Sequence, residues 1–143
     1  MDYIFQNPDS QVIKDYLQKA KTIAVVGLSS RKETAAYQVA QVMQQAGYKI
    51  VPVNPRLAGD EILGEKVYAA LQDIPEHVDI VDVFRRSEFL PDAARDFLAT
   101  DADVFWAQLG LQSKEAEEIL RAAGRDNIVM NKCIKIEYQT LLA

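Results

Sequence analysis

Four short segments carry residue types that could bind or transform a ligand. The first is Gly27-Leu28-Ser29-Ser30-Arg31-Lys32-Glu33-Thr34, which follows an apolar run and precedes a helical pattern. A glycine turn, hydroxyls and cations at a helix start suit a phosphate, because the first N–H groups point outward and the helix dipole favours negative charge. The same hydroxyls would equally serve as a plain helix cap beside solvated cations, so both readings stand for this segment. Val53-Asn54-Pro55-Arg56 adds a second cation, although Asn54-Pro55 is also an ordinary turn pair. Val83-Phe84-Arg85-Arg86-Ser87 offers an aromatic surface for a base and two guanidinium groups for phosphate or carboxylate. The bland alternative pairs those arginines with nearby acids such as Glu88. Finally, Trp106-Ala107-Gln108-Leu109-Gly110 supplies an amide and a glycine that permits close backbone approach, with Trp106 itself more typical of a core.

Groups for catalysis are few. The one histidine, His77, lies at the entrance of a strand, the end opposite these segments. That placement argues against a Ser–His–Asp triad, and one histidine with one cysteine rules out His-rich and Cys-Cys metal sites. Cys133 stands between Lys132 and Lys135, and nearby cations favour thiolate. Its plainer reading is a small buried residue at a strand–helix junction. Asp79 and Asp82 alternate with apolar residues in a strand, where an anchoring role outweighs that of a base. The sequence therefore leans away from an enzyme.

Periodicity supplies the elements that must position these segments. Apolar patterning predicts strands at 22–26, 49–53, 78–84, 103–108 and 127–130, the first a continuous apolar run and so buried on both faces, as in a parallel sheet. Helical spacing predicts helices over 11–20, 35–46, from near Ser87 through 91–99, 113–123 and 135–142, with Asp9-Ser10 capping the first and Gly47 and Gly124 ending two others. Small elements are expected between Gly59 and Leu71. Strand–helix alternation with right-handed crossovers gives a parallel five-stranded sheet with helices on both faces: α/β, doubly wound, one domain over residues 1–143. In such a fold the four segments all sit at carboxyl strand ends, where ligands bind.

The chain of 143 residues is 49% hydrophobic and 26% charged, which excludes disorder and a disulfide scaffold. A net charge of −5 argues against general nucleic-acid binding. The single cysteine allows no internal bridge, and no apolar run is long enough to span a bilayer. Met1 to Ala20 lacks the apolar core of a signal peptide, so a cytoplasmic location is expected. The dinucleotide fingerprint is absent beyond Gly27, since Ser29 and Lys32 occupy its other glycine positions. Arg56 after the second strand, in place of an acidic residue, favours a phosphorylated ribose over NAD.

Read together, Lys21 to Ser29, Gly47-Tyr48, Val51 to Pro55, Ile62-Leu63-Gly64, Val78 to Arg86, Trp106 to Gly110 and Asn131 to Glu137 resemble the CoA-binding domain family of small bacterial and archaeal proteins. The likeness runs in order over roughly residues 9 to 140. The family is similar in fold to the CoA-binding portion of the succinyl-CoA synthetase α-subunit, so the resemblance implies a Rossmann-like domain with coenzyme A across the strand ends. It further implies that Gly27, Ser29, Ser30 and Arg31 take a phosphate group, and that Asn54, Pro55 and Arg56 border the adenosine and its 3′-phosphate. Val83, Phe84, Arg85 and Arg86 would line the nucleotide and the start of the pantetheine arm, with Gln108 and Gly110 near the far end. The phosphate loop departs from many relatives, carrying Ser30-Arg31-Lys32-Glu33 where they contain proline. The expected function is non-catalytic binding of coenzyme A or an acyl-CoA. An NADP-linked oxidoreductase or acyl-CoA-handling enzyme is the alternative, and a partner-docking relative of a synthetase subunit is a third reading. The Tyr3-Ile4-Phe5 stretch is the candidate apolar patch for that docking.

Overall fold

The first strand, β1 (Thr22–Val26), is apolar throughout because both of its faces are covered. Ile23 and Val25 belong to one buried cluster and Ala24 to another on the opposite side. The computed structural model describes residues 2–143, so Met1, the start of the N-terminal stretch read above, lies outside them. The other sheet strands are β2 (Lys49–Val53), β5 (Ile80–Val83), β6 (Val104–Ala107) and β7 (Ile128–Val129). They form one parallel sheet in the order β2-β1-β5-β6-β7. The chain steps outward from β1 to β2, then returns to β5 on the other side of β1. Strand order therefore reverses between β1 and β5, which is where α/β sheets open a crevice.

Helices cover both faces, as the alternating burial demands. α1 (Ser10–Lys19), α2 (Ala35–Gln45) and α5 (Ile134–Leu141) pack one side through Ile13, Leu17, Val39, Met43 and Ile134. α3 (Leu90–Leu98) and α4 (Lys114–Ala122) pack the other through Ala94, Phe97, Ala116 and Leu120. The caps fit their sequences: Asp9, Thr34 and Ser113 each accept a backbone N–H at the start of their helices. A single 3₁₀ turn, Ser87–Phe89, leads into α3.

Between β2 and β5 lies a small antiparallel hairpin, β3 (Glu61–Ile62) and β4 (Glu65–Lys66). Its turn places both Leu63 (φ 55°) and Gly64 (φ 78°) in the left-handed region. Gln44 of α2 donates to the Leu63 carbonyl at 2.8 Å, fixing the turn against the main body. The N-terminal segment lies down on the domain. Phe5 is buried, and Asn7 exchanges two hydrogen bonds with the backbone of Met130 beyond β7. Ile4, by contrast, is left well exposed, at 69%.

Candidate functional site

Strand register builds the site. Val53, Val26, Val83 and Ala107, the last residues of β2, β1, β5 and β6, lie opposite one another across the sheet. The next residues therefore stand side by side as Asn54, Gly27, Phe84 and Gln108. Backbone bonds carry the ladder one step past the strands: Gly27 N–H donates to Val53 O at 2.9 Å, Phe84 N–H to Val26 O at 2.9 Å, and Gln108 N–H to Val83 O at 3.3 Å. The row is thus fixed by main chain rather than by side-chain packing.

Gly27 is the tightest point of that row. Its φ is +89°, and a Cβ there would meet the Phe84 carbonyl oxygen at 2.5 Å. Only glycine fits both constraints. Asn54 is equally committed: Oδ1 accepts from Arg56 N–H at 2.9 Å and Nδ2 donates to Leu28 O at 3.1 Å, tying the end of β2 to the Gly27 loop.

Two cavities flank the row. The first, of about 360 Å³, is bounded by Gly27, Asn54, Pro55, Arg56 and Arg85, with Ala93 and Asp96 of α3 closing it. The second, of about 530 Å³, is bounded by Phe84, Arg85, Arg86 and Gln108, with Gln38 and Val39 of α2, Leu109, Leu111, Cys133, Lys135 and Ile136. Arg85 belongs to both, its guanidinium lying 5.0 Å from the centroid of the Phe89 ring. Arg31 and Arg86 are paired with Glu33 and Glu88, whereas Arg56 and Arg85 enter no ion pair among the described residues. The second cavity falls in the size range of ligand pockets.

Of the residues singled out in the sequence, Gly27, Asn54, Pro55, Arg56, Phe84, Arg85, Arg86 and Gln108 are brought together on these two cavities. Ser29, Ser30, Arg31, Val83 and Gly110 line neither. Ser29 Oγ accepts from the Arg31 N–H at 3.0 Å, and Arg31 reaches Glu33 at 2.9 Å, so this loop satisfies itself. Val83 is wholly buried, and Gly110 N–H donates to Asn131 Oδ1 at 2.7 Å. Cys133 and Lys135, singled out for the thiol, also line the second cavity, whereas the walls from α2 and α3, including Gln38 and Asp96, escaped sequence reading. Their spacing looks like ordinary amphipathic helix, and only tertiary packing turns those faces toward the row.

Beneath Gln108 lies Asp82, a carboxyl in the centre of the sheet that is 1% exposed. Its Oδ2 accepts from Gln108 Nε2 at 3.3 Å, and its Oδ1 has no partner among the described residues. Burial pushes its pKa well above the usual carboxylate range. Gln108 Oε1 accepts from the Ile134 N–H at 3.1 Å, so the amide links β5, β6 and the start of α5. His77 lies at the other end of the sheet. Its Nδ1 sits 3.0 Å from Asp101, and its Nε2 is 3.0 Å from Asp103 and 3.6 Å from Asp79. Hydrogen bonds to Asp103 and Asp101 raise its pKa.

Sheet order, reversal point and cleft together define a Rossmann-like α/β protein with its cavities at the carboxyl strand ends, where such folds bind ligands. Residues 21–139 match the CoA binding domain family, and the chain belongs to it. It is 50% identical over 133 residues to the uncharacterized protein YneT of Bacillus subtilis, covering 93% of this chain and 96% of that one. The solved structure of cell-free ID.343 from Thermus thermophilus superposes with a TM-score of 0.90 at 37% identity, over 94% of this chain and 100% of that one. The α subunit of the ADP-forming acetate–CoA ligase I of Pyrococcus furiosus is 28% identical over 115 residues, 73% of this chain. That match spans only 25% of the subunit, so the two share one region.

Proposed function

We propose that this protein binds coenzyme A or an acyl-CoA across its carboxyl strand ends and does not transform it. The observation that carries this reading is the pair of cavities meeting at Arg85, each lined by segments from both sides of the strand-order reversal. A ligand with a phosphorylated nucleotide at one end and a long arm at the other suits such a divided cleft. Arg56 and Arg85 supply cations for the phosphates, with Asn54 and Pro55 bordering the adenosine. Gly27 lets the ligand backbone approach the loop, and Ser29, Ser30 and Arg31 join the phosphate contacts if the loop opens from its self-bonded state. Phe84 and Arg86 lie along the arm, and Gln108 and Gly110 lie toward its far end. Membership of the family and the likeness to CoA ligase subunits support the choice of coenzyme A. The Cys133 thiol lines the larger cavity with no hydrogen-bonded base among the described residues, which favours binding over turnover.

Isothermal titration calorimetry with coenzyme A, 3′-dephospho-CoA and NADP tests the proposal. Micromolar or tighter binding of coenzyme A, weakened in the dephospho form, supports it and implicates Arg56. An NADP isotherm without one for coenzyme A overturns it, and the replacement of an acidic residue by Arg56 would then carry the oxidoreductase reading.

A further inference from the structure

The larger cavity differs from an ordinary nucleotide pocket in what its walls have left to offer. Val39, Phe84, Leu109, Leu111, Cys133 and Ile136 give it a mainly apolar lining, with Gln38, Gln108, Arg85, Arg86 and Lys135 as its polar members. Gln108 is 4% exposed, and both ends of its amide are already engaged, Nε2 to Asp82 and Oε1 to Ile134 N–H. At the rim stand Leu109 and Ile136, 63% and 46% exposed, two of the four large apolar side chains the surface leaves to water. Apolar side chains gathered at the lip of a cavity favour an apolar occupant. The start of α5 borders the same wall and receives no side-chain cap from Cys133; with the Ile134 N–H taken by Gln108, the following N–H groups of its first turn suit a single carbonyl oxygen. One carbonyl followed by hydrocarbon is the chemistry of an acyl thioester.

Resting on the proposed coenzyme site, we infer that this cavity receives the acyl chain of the ligand, and that the protein selects aliphatic acyl-CoA thioesters over free coenzyme A. Arg56 and Arg85 hold the nucleotide while Val39, Phe84, Leu109 and Ile136 enclose the chain. Selection then grows with chain length, because each buried methylene adds a hydrophobic increment corresponding to about fourfold in affinity.

Calorimetry at fixed ionic strength with coenzyme A and its acetyl, butyryl, hexanoyl, octanoyl and succinyl thioesters tests this. The expected result is a dissociation constant that falls about threefold to fourfold per methylene until the cavity is filled. The heat-capacity change should become more negative along the series. Ile136→Asp and Leu109→Asp, both at exposed positions, should flatten the dependence on length; the readout is that slope rather than the absolute affinity. Equal affinity for coenzyme A and octanoyl-CoA overturns the inference while leaving coenzyme binding intact. Preference for succinyl-CoA also overturns it, and assigns the cavity to an acidic acyl group facing Lys135. Absence of binding by every member, coenzyme A included, overturns the underlying site as well.

Discussion

At the scale of single residues, the sharpest constraint falls on Gly27. A methyl group there meets the Phe84 carbonyl oxygen at 2.5 Å, and the left-handed φ adds about 1–3 kcal/mol for any other residue. Gly27→Ala should therefore lower the urea midpoint and distort the row on both sides, and it should weaken coenzyme binding more than its loss of stability explains. The arginines are predicted to divide. Arg85→Ala removes a cation shared by both cavities and should cost about 1.5–3 kcal/mol of binding, whereas Arg31→Ala, whose guanidinium already rests on Glu33, should change affinity far less. Calorimetry on the two variants checks this, and equal losses would show that the Gly27–Thr34 loop reorganises around the ligand. Sequence reading ranked these arginines alike. The Glu33 partner two residues away and the Ser29 hydroxyl on the Arg31 N–H are local satisfactions that residue type alone does not reveal.

At the scale of elements, His77 at one end of the sheet and Asp82 toward the other both make stability fall as pH rises. His77, held by Asp101, Asp103 and Asp79 at the entrance of β5 and β6, has a raised pKa. A raised histidine pKa contributes stability that is fully present below about pH 6.5 and is lost as pH rises through the folded value. The stability difference between wild type and His77→Gln should thus be largest in mildly acidic solution and shrink above neutrality, as read from urea midpoints across pH. Asp82 runs by the same linkage from a different cause. Its pKa is raised by burial, so stability falls as pH climbs from about 3.9 through the folded value, and Asp82→Asn should remove that part of the slope. Elements were largely legible in the sequence, since continuous apolar runs and the capping residues Asp9, Thr34 and Ser113 have direct local causes. Strand ends were less so. The predicted 78–84 run is realised as Ile80–Val83, because its flanks take up turn and ladder bonds instead. The β3–β4 hairpin was expected only as small elements, its Leu63-Gly64 turn being a poor turn signal that Gln44 rescues from a distance.

At the scale of the whole molecule, the N-terminal segment is one external support of the sheet, and the proposed ligand would be a second. Phe5 is buried in the cluster beneath α3 and α4, and Gln112 bonds both Tyr3 O and Phe5 N–H. Phe5→Ala should cost about 3–5 kcal/mol of stability with little effect on coenzyme affinity, measured by denaturation beside calorimetry. A saturating ligand acts in the opposite direction. At a hundredfold excess over its dissociation constant it contributes about 2.7 kcal/mol, which for a chain of this length raises the melting temperature by about 6–10 °C.

The in-register strand ends also set a length scale. Asn54, Gly27, Phe84 and Gln108 occupy successive strands, so the row spans three interstrand spacings, about 14 Å. A ligand touching both ends must be at least that long, and its parts must be joined in an order matching the strands. The site therefore works as a ruler: a nucleotide fragment or an acyl-pantetheine fragment alone covers only part of the scale. Joined in one molecule, the two fragments should bind far more tightly than either does alone, because the first contact holds the second beside its cavity.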